Sequence, residues 1–200
     1  MRKITNLDEL HALYGAPVPA ALRKVVTELT PLYRAWIEGA RFCILSTVGP
    51  EGTDGSPRGD DGPVVQVRDG KTLLMPDWRG NNRLDTLRNI VRDPRIALLF
   101  LVSGSKTTVR VNGRAWITDD EATRHRFEQR GKHPASVIVI EIEEIYSQCA
   151  KALMRSGLWD RDDRDTVPTV GQILAEVTEG EYGGGDYDVT YEEKAQPRMW

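Results

Sequence analysis

The sequence predicts a mainly β (α+β) fold, an antiparallel barrel of about six strands with flanking helices. Helical spacing of apolar residues in the first 40 residues gives way, from residue 42, to alternation or short apolar runs. The strand candidates follow one another through short connections, which favours hairpins over the long crossovers of a parallel sheet. At 200 residues the chain is long enough for one domain with a substantial core.

Residues 1–40 are predicted to form a helical segment that packs on the barrel. Asn6 is a suitable N-cap, because acidic residues follow it in the first turn, where the helix dipole favours anions. Pro31 ends the second helix, since proline cannot continue a helical ladder. The predicted helices cover residues 7–14, 19–29 and 32–40.

The middle of the chain, residues 41–160, is predicted to be the barrel domain. Asp69-Gly70 separates two short apolar runs and is a strong hairpin signal. Residues 49–63 contain five glycines and three prolines, which predicts a long polar loop. The predicted strands cover residues 42–48, 64–67, 72–75, 95–102, 107–117 and 136–145, and helices are predicted over 84–92 and 119–130.

Residues 161–200 are predicted to be an extension, partly helical and then loose. The segment begins with a run of charges, and residues 170–177 have the spacing of one amphipathic helix. Residues 179–200 are rich in glycine, acids and tyrosine and have little apolar surface to bury. We expect them to be ordered only against a partner, if at all.

Charge and composition exclude several partners. The chain has 27 Lys+Arg and 30 Asp+Glu, so no positive excess favours nucleic acid or an anionic membrane. The longest apolar run, Ile96 to Val102, is far shorter than the ~20 residues of a membrane span. The N-terminus lacks the apolar region of an export signal, and two unrelated cysteines indicate reduced thiols, so we expect a cytoplasmic protein.

Residues 76–83 have the clearest chemistry of the sequence. They connect a predicted strand to a helix, whose first N–H groups attract a phosphate. Arg79 and Arg83 add guanidinium groups that grip phosphate through paired hydrogen bonds, while Asn81 and Asn82 are caps or further donors. An ordinary helix start with two solvated arginines fits these residues about equally well.

Two other clusters can bind a ligand or form plain surface. Ser56 to Asp60 lies within the predicted polar loop, where a surface turn is the simpler interpretation. Lys151, Arg155 and Trp159 have the spacing of one helical face with two cations and a flat apolar ring. An amphipathic surface helix explains them as well.

No nucleophile and base are close in sequence. His125 and His133 are interpreted as solvated, and Cys43 as a core residue. No spacing of cysteines and histidines indicates a metal site. Any catalysis would therefore depend on a cofactor, for which the protein supplies orientation and hydrogen bonds.

Together, the segments resemble one known family. The motifs are SPRGD at 56–60, LLMPDWRGNNRLDTLRNI at 73–90, PRIALLFLV at 94–102, TVRVNGRA at 108–115 and CAKALMRSGLW at 149–159. In this order they resemble the pyridoxamine 5′-phosphate oxidase-like FMN-binding split-barrel proteins, over about residues 1–180. More narrowly, they are similar to a bacterial subfamily with SPRGD, PDRxGNNR and CAKALxRSxLW.

The resemblance implies a six-stranded split barrel that forms a homodimer with two FMN sites at the subunit interface. It places one group of residues at the FMN phosphate, a second beside the flavin edge, and a third in the site from the second subunit. This chain has Trp78-Arg79 where the subfamily more often has Arg-Pro. The three groups are Arg79, Asn81, Asn82 and Arg83; Arg58 and Gly59; and Lys151, Ser156 and Trp159.

The function implied is an FMN-dependent oxidoreductase whose substrate the sequence does not name. NAD(P)H would bind transiently, because no dinucleotide fingerprint is present. Pyridoxamine phosphate is disfavoured, since the C-terminal arginine–histidine motif of true pyridoxamine oxidases is missing. The dimer is also expected to cover the apolar strand Ile138 to Ile142. The alternatives are a flavin carrier or redox sensor, or the same barrel with F420 or haem.

Overall fold

The computed structural model describes residues 1–200 and contains seven strands and eight α-helices. The strands are β1 Phe42–Gly49, β2 Gly52–Gly59, β3 Gln66–Val67, β4 Thr72–Asp77, β5 Arg95–Leu101, β6 Thr108–Thr118 and β7 Ser136–Gln148. The helices are α1 Leu7–His11, α2 Pro19–Arg23, α3 Pro31–Glu38, α4 Asp85–Arg92, α5 Glu121–Arg124, α6 Lys151–Ser156, α7 Val170–Val177 and α8 Gly185–Ala195. No helix is both long and apolar enough to cross a membrane.

All strands belong to one antiparallel sheet with the order β2-β1-β5-β6-β7-β4-β3. The sheet is strongly curved, because Arg58 on β2 pairs with Asp77 on β4 at 2.8 Å although four strands lie between them in the sheet. Helices flank this sheet. The predicted fold class, a mainly antiparallel split barrel with flanking helices, is confirmed, with seven strands instead of six.

The additional strand is β2, which lies inside the predicted polar loop. It pairs with β1 along its whole length, from Gly49↔Gly52 to Phe42↔Gly59. Its sequence lacks apolar alternation because β2 is an edge strand whose side chains are exposed or only half-buried. Edge strands also tolerate proline, here Pro57, since one side of their backbone has no partner. The prediction of a loop over residues 49–63 is therefore wrong for most of that segment.

The main core includes the fully buried Leu45, Leu98 and Phe100. The first part of strand β7, Val137 to Ile140, is buried on both faces. Its isoleucines lie in the main core, whereas Val137 and Val139 pack in a second, smaller cluster. Residues 138–142 are thus covered within one chain apart from the exposed Glu141, and the expectation that this strand needs a partner's cover is wrong.

Several helices are shorter than their sequence pattern predicts. Helix α2 ends at Arg23 because Val26 and Ile145 exchange two main-chain hydrogen bonds, of 3.1 and 2.8 Å. Helix α5 covers one turn of the predicted 119–130, and the chain then reverses where Gln129 and Lys132 bond to each other's backbone. In both cases other backbone hydrogen bonds replace those of a longer helix. For α2 they are formed with β7, and for α5 they are formed within the turn at residues 129–132.

The segment 185–198, which we expected to be loose, is helical in the structure. Helix α8 lies against α7, where the Asp188 carboxylate accepts hydrogen bonds from the Gly171 N–H at 2.8 Å and from the Thr169 hydroxyl. No residue of α8 is buried. Polar contacts at the start of α7 therefore hold this segment, and an argument from apolar content does not detect them.

Candidate functional site

A cavity of about 1480 Å³ opens where β2 and β4 end. Its walls come from these two strand ends, the connection into α4, the segment before β7 and the last residues of the chain. Both predicted ligand clusters of residues 56–60 and 76–83 meet here. The six predicted cofactor residues from these clusters all line the cavity: Arg58, Gly59, Arg79, Asn81, Asn82 and Arg83.

The inner wall carries a nearly buried ion pair between Arg58 and Asp77. Their side chains are 20% and 15% exposed. Burial raises the pKa of Asp77, and the positive charge and hydrogen bond of Arg58 oppose that rise. The Arg58 Nε–H is buried without a partner. A buried donor without an acceptor is costly, so a ligand acceptor at this wall would satisfy it.

The outer part of the cavity is cationic and rich in N–H groups. The start of α4 has no side-chain cap. The exposed Arg79 makes no hydrogen bond or ion pair, whereas Arg83 Nε donates to Asp85 Oδ2 at 2.9 Å with both side chains exposed. Asn81 accepts a hydrogen bond from the Arg83 N–H at 3.1 Å, so it shapes the turn and does not cap the helix.

The connection into α4 has a constrained backbone. Asn82 and Leu84 have positive φ angles of 61° and 62°. Residues other than glycine seldom adopt a positive φ, and each one that does costs about 1 kcal/mol or more. Such conformations often occur at binding sites, where the surrounding structure holds them.

Helix α4 is fixed on the β1–β2 hairpin by polar side chains. The buried Asn89 donates to Thr47 Oγ1 at 3.1 Å, and the Thr86 hydroxyl donates to Asp54. At Gly49 a Cβ atom would collide with the Asn89 side chain, so the hairpin can approach the helix only with glycine there. These contacts set where the start of α4 lies relative to β2.

Sequence reasoning missed several residues of the cavity wall: Asp77, Arg124, Lys132, His133 and Trp200. His133 is exposed, as expected, but its ring lies 4.3 Å from that of His125, and its Nδ1 is 2.6 Å from the Phe127 carbonyl oxygen. The five residues come from segments up to 123 positions apart, so no local motif unites them. Only Asp77 lies within a motif that the sequence analysis had quoted.

The third predicted cluster lies elsewhere on the chain. Lys151, Ser156 and Trp159 do not line the cavity. The prediction that Lys151, Arg155 and Trp159 share one helical face is wrong. Helix α6 ends at Ser156 and Gly157 has a φ of 61°, so Trp159 lies beyond the helix. The Trp159 indole donates to the Ser105 carbonyl oxygen at 2.7 Å, beside the β5–β6 turn. That Lys151, Ser156 and Trp159 contribute to the site of a partner subunit remains a prediction.

Comparison with protein families gives a direct match. The family model described as Pyridoxamine 5′-phosphate oxidase matches residues 29–149, more than half of the chain. The chain belongs to this family. The match includes β1 to β7 and every cavity residue of the strand ends and the α4 connection, but it ends before α6. A search of curated proteins finds no match.

The chain is similar to solved structures of low sequence identity. HupZ from Group A Streptococcus has 21% identity and a TM-score of 0.50, over 60% of this chain and 93% of its own. General stress protein 26 from Bacillus anthracis has 20% identity and a TM-score of 0.42, over 56% and 88%. An FMN-binding protein from Syntrophomonas wolfei has 17% identity and a TM-score of 0.45, over 58% and 83%. The likeness to HupZ concerns the fold alone.

Proposed function

We propose that this member of the pyridoxamine 5′-phosphate oxidase family is an FMN-dependent oxidoreductase. FMN is held noncovalently in the cavity at the ends of β2 and β4. The observation that carries this proposal is the convergence of two sequence clusters on one cavity. The six residues expected from the resemblance line it together with the uncapped start of α4.

The outer part of the cavity fits the phosphate of FMN. Helix N-termini and arginine side chains are common phosphate ligands, because both present N–H donors and positive charge. The free guanidinium of Arg79 and the exposed one of Arg83 flank this helix start. The exposed ion pair of Arg83 with Asp85 is weak and gives way readily to a phosphate.

The inner part of the cavity fits the flavin ring. Val64, Met75 and Pro76 provide buried apolar surface in the cavity that Arg58, with its orphan Nε–H, also lines. Ligand sites commonly combine such apolar surface with a few directed polar groups. The volume of about 1480 Å³ exceeds that of ordinary single-ligand pockets, ~300–1,000 Å³, so a second small molecule can bind beside the cofactor.

Bound FMN would supply the hydride chemistry, and the residues of the chain would bind and orient it. Arg58 would donate its free N–H to an acceptor of the bound cofactor, while Asp77 holds the guanidinium in place. Because the Asp77 carboxylate balances the charge of Arg58, the pair would act on bound FMN through this directed N–H and not through a net positive charge. NAD(P)H is the proposed transient donor.

The structure adds one histidine, His133, to the cavity wall. It lies before β7 and does not supply the C-terminal arginine–histidine motif of true pyridoxamine oxidases, so pyridoxamine phosphate stays disfavoured. An assay with pyridoxamine phosphate tests this expectation.

We also propose a homodimer in which α6 of one subunit approaches the cavity of the other. Met154 and Leu158 on and after α6 are 60% and 49% exposed. They lie in the same segment as the three predicted residues Lys151, Ser156 and Trp159. Light scattering at micromolar concentration with saturating FMN tests this, and a monomer would contradict it.

The absorption spectrum of the purified protein tests the cofactor. A flavin spectrum, with FMN released on denaturation and identified by mass, supports the proposal. Anaerobic addition of NADH or NADPH should then bleach the flavin. A protein that holds FMN but is reduced by neither nucleotide acts as a carrier or sensor, and bound haem or F420 contradicts the assignment of FMN.

A further inference from the structure

The last residues of the chain form one wall of the cavity. Tyr191 and Ala195 on α8 line it, as do Arg198, Met199 and Trp200 beyond the helix. This segment lies outside residues 29–149, which match the family. Its position over the cavity is therefore a feature of this chain that the family match does not account for.

Asp60 ties this segment to the barrel. Its carboxylate follows β2 and accepts hydrogen bonds from four donors. They are the Asp61 N–H at 2.7 Å, Trp78 Nε1 at 2.7 Å, Gln129 Nε2 at 3.0 Å and Trp200 Nε1 at 3.3 Å. One carboxylate thus joins the ends of β2 and β4, the segment before β7, and the end of the chain.

A second clasp comes from the turn at residues 129–132. Lys132 Nζ donates to the main-chain oxygens of Pro197 at 3.2 Å and Trp200 at 2.7 Å. The Arg130 guanidinium lies 4.6 Å from the centre of the Trp200 ring, a distance typical of cation–π contact. Trp200 is therefore held on its indole N–H, its ring and its main chain.

The same segment has little apolar anchoring. No residue of α8 is buried, and Val189 is 84% exposed. A segment held by a few polar contacts at the surface opens at a much lower free energy than the core unfolds. Loss of the clasp would therefore release the cavity wall and leave the barrel folded.

We propose that residues 191–200 are a cover that must open to admit a ligand to the cavity, with Lys132 and Asp60 as its clasp. The identity of the ligand as FMN rests on the proposed function. If the cover does not contact FMN strongly, association and dissociation both occur through the open state. Both rate constants are then proportional to the open fraction, and Kd is independent of it.

The test compares Arg130→Met with the parent, with Lys194→Met as the matched control, because Arg130 contacts the Trp200 ring but does not itself line the cavity. Lys194 lies on the same segment, is exposed and does not line the cavity. Stopped-flow flavin fluorescence gives the two rate constants for FMN. Arg130→Met should raise both by about threefold, with Kd changed less than about twofold, while the control matches the parent.

Hydrogen exchange of residues 185–200 without flavin is the second readout. Faster exchange in Lys132→Met than in Lys194→Met supports the clasp, and equal exchange in the two overturns it. A rise in Kd through faster dissociation alone shows direct ligand contact and also overturns the cover. If FMN fails to bind the parent, the proposed function fails, and hydrogen exchange still decides whether the clasp exists.

Discussion

Replacing Arg83 by alanine removes one of the two guanidinium groups that flank the start of α4 in the cavity. A hydrogen bond to a charged group contributes about 1.5–3 kcal/mol. Arg83 is 75% exposed, and its ion pair with Asp85 at 2.9 Å must give way, so the lower part of that range applies. A net loss of about 1–2 kcal/mol corresponds to roughly 5- to 30-fold weaker binding of FMN.

Fluorescence titration with FMN and with riboflavin measures this effect. Riboflavin lacks the phosphate, so its affinity should change by less than about twofold in Arg83→Ala. Arg88→Ala is the matched control, because Arg88 is an exposed arginine of α4 that does not line the cavity. An unchanged Kd for FMN, or an equal loss for both flavins, would refute the assignment of the phosphate site.

Three further predictions concern single side chains. Because burial raises the pKa of Asp77 above 3.8, its ionisation costs stability as pH rises above that value. The free energy of unfolding of Asp77→Asn minus that of the parent should therefore increase with pH, and a constant difference in denaturant titrations contradicts this. Burial raises the pKa of the Cys43 thiol to about 12, so a thiol reagent at about pH 8 should label only the exposed Cys149 until the protein unfolds. Two labelled thiols in the native protein would count against it. Lys151→Met should lower the reduction potential of bound FMN by about 30 mV, and an unchanged redox titration indicates a solvated lysine.

The site could be predicted as far as its residues are contiguous. Residues 76–83 combine arginine, glycine and asparagine before a helix, and this local pattern predicts a phosphate site about as well as an ordinary helix start. The structure adds what the pattern lacks. Asp77 pairs with Arg58 across the curved sheet, and Trp200 reaches the same cavity from 140 positions beyond Asp60.

Elements whose own side chains specify them could be predicted from the sequence. Alternating apolar residues predict β7, and the Asp69-Gly70 turn predicts the β3–β4 hairpin, because burial period and turn geometry are local properties. Only the tertiary structure explains why β2 forms, why α2 ends at Arg23 and why residues 185–200 are ordered. Strand β2 forms by backbone pairing with β1, and α2 ends where Val26 forms a bridge with Ile145. The segment 185–200 is held through the hydrogen bonds of Asp188. Their partners are distant in the sequence or use the backbone, so composition and periodicity cannot reveal them.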